Sequence, residues 1–157
     1  MFKNSSEIFD FIKKNDVKLI DVRFTDLPGI QQHFNVPVES FDEDVFTNGL
    51  MFDGSSIRGF QAIHESDMKL LPIPGSAFID PFRKEKTLVI LFSVHNPIDN
   101  TPYSRDPRGV VAKAVDYLKS TGIADTAFFA PEAEFYVFDE VHFETSQNSS
   151  HHFIDSI

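Results

Sequence analysis

Residues Thr87 to His95, TLVILFSVH, constrain the fold more than any other stretch. The run is long, rich in β-branched and large apolar side chains, and uncharged until its end. It therefore reads as a buried strand. Other elements must supply the sheet around it. Val17 to Thr25 reads as a second strand, with Ile20, Val22 and Phe24 on one face and Asp21 and Arg23 on the other. Asp26 to Gly29, DLPG, is a turn, and Ile30 to Val36 can return as its hairpin partner.

Helices punctuate these strands. Asn4 to Asn15 carries an N-cap residue, Glu7 at the capping-box position, and a stripe of Ile8, Phe9, Phe11 and Ile12. Ser40 to Asn48 predicts a short helix, with a Ser40–Glu43 capping box and Gly49 as its left-handed terminus. Phe52 to Leu71 reads mostly as loop. Asp106 caps a further helix that starts at Pro107, repeats Val110, Val111, Ala114, Val115 and Leu118 at helical spacing, and ends at Gly122. The polar, proline-bearing segment Asn96 to Arg105 is the expected domain boundary. Beyond His142 no pattern is visible, and His151 and His152 read as solvated tail.

The fold class this order predicts is α+β: strands to about residue 95 in one mixed sheet, followed by one helix–strand unit. That unit is too small to bury two faces of its own, so it reads as the opening of a larger domain.

Composition excludes several function classes. The net charge is −10, from 24 acidic and 14 basic residues, which disfavours nucleic acid and anionic membranes as partners. With no cysteine, disulfides, zinc–thiolate sites and thiol chemistry are ruled out. No apolar run approaches the ~20 residues that span a bilayer, and no signal peptide is visible, so a cytoplasmic location is expected. Hydrophobic content of 41% and eighteen Phe are ample for a core.

Two carboxylates, Glu132 and Glu134, lie within the apolar run AFFAPEAEFYVF. The run reads as a strand, Ala127 to Phe138. On a strand, residues two apart share a face, roughly 6.6 Å apart. Two oxygen ligands aimed at one point suit a hard divalent cation, Mg²⁺ or Mn²⁺. The alternative is an acidic stripe on the solvated face of a half-buried strand. A third carboxylate, Asp53, sits in FDGSS, Phe52 to Ser56. Asp, Gly and Ser make tight turns whose side chains bond nearby amides. The functional reading is a loop that presents Asp53 to a cation or polar ligand. The continuation IRGFQAIHESDM, with Arg58, Gly59, Phe60, Glu65 and Asp67, is long and polar in the way of functional loops.

Four segments together resemble the type I glutamine synthetase family: DVRFTDLPGIQQHF (Asp21 to Phe34), FDGSSIRGF with ESDM (Phe52 to Met68), PYSRDPR (Pro102 to Arg108) and EAEFYVFD (Glu132 to Asp139). They keep the family's order and spacing. The resemblance implies a β-grasp-like domain over residues 1–103, then the start of a larger catalytic α/β domain over 104–157. It implies ATP-dependent ligation of ammonia to glutamate through γ-glutamyl phosphate, in a homo-oligomeric ring, usually a dodecamer, with active sites between neighbours. By position, Glu132 and Glu134 match two metal ligands for Mg²⁺ or Mn²⁺. Asp53 matches the aspartate that binds ammonium and takes its proton, Ser56 a serine near it, and Phe60 a position near the subunit interface where many relatives carry Trp.

The chain is about a third of a typical family subunit. The expectation is an N-terminal part of a glutamine synthetase, inactive alone, with exposed apolar faces after residue 107. The competing class is a non-enzymatic β-grasp module that associates with full-length rings. Retention of Glu132, Glu134 and the helix–strand unit favours the first.

Overall fold

The computed structural model describes residues 2–156. Helix α1, Ser5–Asn15, forms where capping and the apolar stripe require it. The Asn4 side chain accepts from the Glu7 amide, and Asp16 ends the helix in the left-handed region at φ 55°. The Glu7 carboxylate accepts from the Lys3 amide, one residue before the cap. Ile8 and Ile12, one turn apart, are buried against the sheet.

The sheet contains β1 (Leu19–Thr25), β2 (Gln31–Pro37), β3 (Leu50–Asp53), β4 (Asp67–Pro72), β5 (Phe78–Ile79) and β6 (Thr87–His95). Its order is β2-β1-β6-β4-β3, with β5 paired to β6. β1 and β6 run parallel, with Val22 opposite Ile90, and the other pairs are antiparallel. β6 is central, as its apolar run demands. Thr87 to Ile90 are buried on both faces, and from Leu91 onward burial alternates. Leu88, Ile90, Phe92 and Val94 meet Ile20 and Val22 of β1 and Met68 and Leu70 of β4 in one core.

Two expectations in this region are corrected. The helix expected at Ser40 to Asn48 shrinks to a 3-10 turn, Val38–Ser40, and a short helix α2, Val45–Asn48. Phe41 is buried beside Phe9 and Phe46, and the Asp42 carboxylate accepts from the Asp44 amide. That anchoring replaces the Ser40–Glu43 box, while Gly49 does close α2 at φ 74°. The segment Phe52 to Leu71 is less loop than expected, because β3 and β4 occupy its ends. The alternation in DMKLLP is short, and its partner β6 lies more than a dozen residues on, so local pattern carries little of the signal.

Asp106 joins the sheet to helix α3, Pro107–Ser120. One carboxylate oxygen accepts from the Arg108 amide as N-cap, and the other accepts from the Val94 amide of β6 at 2.8 Å. Pro107 takes the first helical position, and Gly122 follows the helix at φ 69°. No residue of α3 is buried: Val110, Val111 and Ala114 are exposed, and Val115 and Leu118 are half-buried.

The chain divides into two compact units, up to Thr126 and from Ala127. The second contains one antiparallel hairpin, β7 (Glu140–Thr145) with β8 (Ser150–Asp155). The Ser146 amide donates to the Ser149 carbonyl at 2.8 Å to close its turn. The patternless tail expected after His142 is therefore a hairpin, and His151 and His152 lie within β8. The expected strand at Ala127 to Phe138 is absent, and those residues have no regular structure. A strand is completed by hydrogen bonds to a neighbour, and no described strand pairs with this run. Among the described residues, no helix is long and apolar enough to cross a membrane.

Candidate functional site

Asp53 is the last residue of β3, and Asp67 stands directly opposite it as the first residue of β4. Two like charges facing each other across a ladder repel, and a cation between them relieves that repulsion. The chain then folds tightly through a 3-10 turn, Gly54–Ser56. This turn permits one carboxylate to meet three donors. Asp53 Oδ1 accepts from the Ser55 amide at 2.8 Å and the Ser55 hydroxyl at 2.6 Å, and Oδ2 accepts from the Ser56 hydroxyl at 3.0 Å. These bonds, led by the Ser55 hydroxyl, hold the Asp53 carboxyl below the usual aspartate range. Asp53 is exposed and ionised at neutral pH, and the turn loses its charged acceptor only on acidification below that range.

Gly54 explains why the turn needs its glycine. It is buried, and a Cβ there would lie 2.5 Å from Met68 Cγ and 3.1 Å from the Ser66 carbonyl. The Gly54 amide donates to that same Ser66 carbonyl at 2.7 Å. The tight turn is thus pinned to the base of β4.

The structure brings two of the four sequence-derived candidates together, since Ser56 bonds directly to Asp53. Glu132 and Glu134 lie in the irregular segment of the second unit, and both are exposed. Carboxylates have the hardness that Mg²⁺ and Mn²⁺ prefer. Among the described residues, however, no group of three or more His, Cys, Asp or Glu converges on a point that could hold a metal. Glu132 and Glu134 by themselves leave most of a cation's shell to water and do not make a closed site. Phe60, expected near a subunit interface, is 1% exposed, packed between Phe24 and Tyr103. Its aromatic ring is part of the core.

Sequence reasoning missed Asp67 as the partner facing Asp53, because register is a property of the folded sheet. It also missed Tyr103 and Arg105, which reach back to this loop. The Tyr103 hydroxyl donates to the Phe60 carbonyl at 2.7 Å, and Arg105 Nη1 donates to the carbonyls of Gly59 and Phe60. A cleft of about 540 Å³ between the sheet and the first turn of α3 is bordered by Thr25, Ser93, His95 and Arg108, and by none of the four candidates.

Two family descriptions match the chain in succession. Residues 16–97 match "Glutamine synthetase, beta-Grasp domain", and residues 104–157 match "Glutamine synthetase, catalytic domain". The chain belongs to the glutamine synthetase family. A glutamine synthetase of Frankia alni is 58% identical over 157 residues, covering 100% of this chain and 33% of the relative. One from Streptomyces coelicolor is 60% identical over 156 residues, covering 99% of this chain and again 33% of the relative. The chain therefore spans about a third of the glutamine synthetases it matches. In fold it is similar to the Plasmodium falciparum glutamine synthetase solved by cryo-electron microscopy. The TM-score is 0.79 at 22% identity, covering 98% of this chain and 30% of that one. Architecture agrees with family: an α+β domain of β-grasp type, followed by the opening of a glutamine synthetase catalytic domain.

Proposed function

We propose that this chain serves in a glutamine synthetase, joining ammonia to glutamate with ATP through γ-glutamyl phosphate. The observation that carries this reading is 58–60% identity to glutamine synthetases along nearly the whole chain. In this reading residues 1–103 are the β-grasp domain and 104–157 open the catalytic domain. Asp53 receives ammonium, and Ser56 orients its carboxylate. Glu132 and Glu134 contribute to Mg²⁺ or Mn²⁺ binding together with groups outside this chain. Glutamate and ATP bind to a homo-oligomeric ring, a dodecamer by family, in the cytoplasm.

The local chemistry sharpens the role of Asp53. Its carboxylate accepts three hydrogen bonds and keeps its charge. Such a carboxylate is a good ligand for a cation and a weak base, so the geometry favours binding ammonium over stripping its proton. Once ammonium is seated, transfer of one proton to an Asp53 oxygen frees the nitrogen lone pair to attack the acyl carbon, and the departing phosphate carries off the second proton as the amide forms.

The test is Asp53→Asn in a glutamine synthetase subunit that contains this sequence. Loss of one charge-assisted contact is expected to raise the KM for ammonium about tenfold or more, with KM for glutamate and ATP little changed. An unchanged ammonium KM would refute the assignment. The intact mass of the native subunit, measured under denaturing conditions, tests the wider reading. A mass several-fold above 17.8 kDa agrees with a full synthetase subunit, and a mass of 17.8 kDa argues against it.

A further inference from the structure

We propose that Tyr103 and Arg105, at the junction between the two family matches, are positioning residues that hold the Asp53 loop in shape. The functional meaning of this clamp rests on the reading of Asp53 above, while the clamp itself rests on geometry.

The loop from Asp53 to Gln61 is nearly a closed ring. The Gly54 carbonyl accepts from the Ile57 amide at 3.2 Å and from the Gln61 amide at 3.4 Å. The Phe60 amide donates to the Ile57 carbonyl at 3.1 Å. Closing a ring this small requires Gly59 at φ 84°, a left-handed conformation that other residues rarely adopt. At that φ the carbonyls of Gly59 and Phe60 come within reach of a single donor group. Left alone, two carbonyl dipoles brought together would repel and favour opening of the ring. Arg105 Nη1 donates to both of them, so one cation neutralises the pair. The Tyr103 hydroxyl adds a second donor to the Phe60 carbonyl.

Tyr103 is itself well fixed. Its ring meets Phe60 edge-on at 5.2 Å, and its amide donates to the Val94 carbonyl of β6 at 2.8 Å. Burial pushes the phenol pKa up, so the hydroxyl keeps its proton and stays a donor. Asp106, three residues further along the chain, is bonded to the Val94 amide. Residues 103–106 are therefore locked to the central strand at two points, and from there they grip the far side of the ring that begins at Asp53. In this arrangement the junction between the two family matches is also what shapes the ammonium-side loop. Arg105 does not bond to Asp53 and acts only through the two carbonyls.

Amide exchange by NMR on this chain tests the clamp. Arg105→Ala is expected to raise exchange at the Gly54 and Gln61 amides about tenfold, with Ile20 and Ile90 in the central strands unchanged. Tyr103→Phe keeps the ring packing and removes one bond, so it is expected to give a rise of about threefold at the same two amides. Arg105→Lys restores a donor and recovers part of the protection. In the same samples the Asp53 carboxyl should titrate closer to the ordinary aspartate range once the clamp is gone. Unchanged exchange at Gly54 and Gln61 overturns the proposal. A rise shared equally by Ile90 also overturns it, because Arg105 would then be a general stabiliser. None of these readouts uses ammonium. An unchanged ammonium KM for Asp53→Asn would remove the functional reading and leave the clamp standing, and the reverse holds as well.

Discussion

Replacing Asp21 by alanine is expected to destabilise the fold by about 3 kcal/mol, the lower end of what breaking a buried ion pair costs. Asp21 is fully buried on the face of β1 opposite the main core. Its Oδ2 accepts from Arg23 at 2.8 Å, and its Oδ1 lies 2.9 Å from His33 Nδ1 on β2. Arg23 reaches on to Asp80 at 2.9 Å, and Arg83 approaches both carboxylates at 3.7 Å. Without Asp21, Arg23 keeps Asp80 as its one anionic partner among the described residues, and its side chain is 20% exposed. The effect sits at the low end because Asp80 still compensates part of that charge. A urea titration should show a lower midpoint at unchanged slope. The double variant Asp21→Ala with Arg23→Met removes the orphaned charge and should recover part of the loss. A single-variant loss below about 1 kcal/mol would mean that the network behaves like an exposed ion pair.

Gly49→Ala is the second large effect, also expected near 3 kcal/mol, from roughly 1–3 kcal/mol of backbone strain with steric overlap added. Gly49 sits at φ 74°, ψ −178°, a conformation essentially reserved for glycine. An added Cβ would lie 2.6 Å from the Leu70 carbonyl oxygen and 2.7 Å from Lys69 Cγ. The first of these is backbone in β4, so it cannot swing away. The clash falls where β3 begins to pair with β4, since Leu50 is opposite Leu70. Amide exchange should therefore rise in β3 and β4 while β1 and β6 keep their protection. Asp53, at the other end of β3, should lose its register against Asp67. Gly29 provides the control. It has φ 90°, and a Cβ added there would meet nothing within 4 Å, so alanine faces strain alone and should cost about 1 kcal/mol. Equal losses at the two positions would show that the Leu70 contact is unimportant.

Part of this fold is legible in the residues alone. α1 and α3 are marked by Asn4, Asp106 and Pro107, because capping is settled within a few residues. β6 is legible because a strand buried on both faces has to be uncharged and largely apolar throughout its buried half. The Asp53 turn is legible because Asp, Gly and Ser form it with their own side chains and backbone. What failed was pairing. β3 and β4 overlap the ends of an expected loop, Phe52 to Leu71, and their hydrogen bonds go to one another and, from β4, to β6. AFFAPEAEFYVF has a strand's composition and no strand's partner, while the plainer segments on either side of SQNS find each other and form β7 and β8.

The sequence by itself determined the helices α1 and α3, the central strand, the acidic balance, the turn that holds Asp53 and the resemblance to glutamine synthetases. These depend on side chains acting on their immediate neighbours, or on motifs preserved in order. Only the tertiary structure decided that Asp67 faces Asp53, that Asp21 is buried in an ion network, that Phe60 belongs to the core, and that Tyr103 and Arg105 grip its carbonyl. Each of these joins residues a dozen to more than forty positions apart. Such contacts depend on strand register and chain closure, which are set by the packing of the whole sheet rather than by any local run of residues.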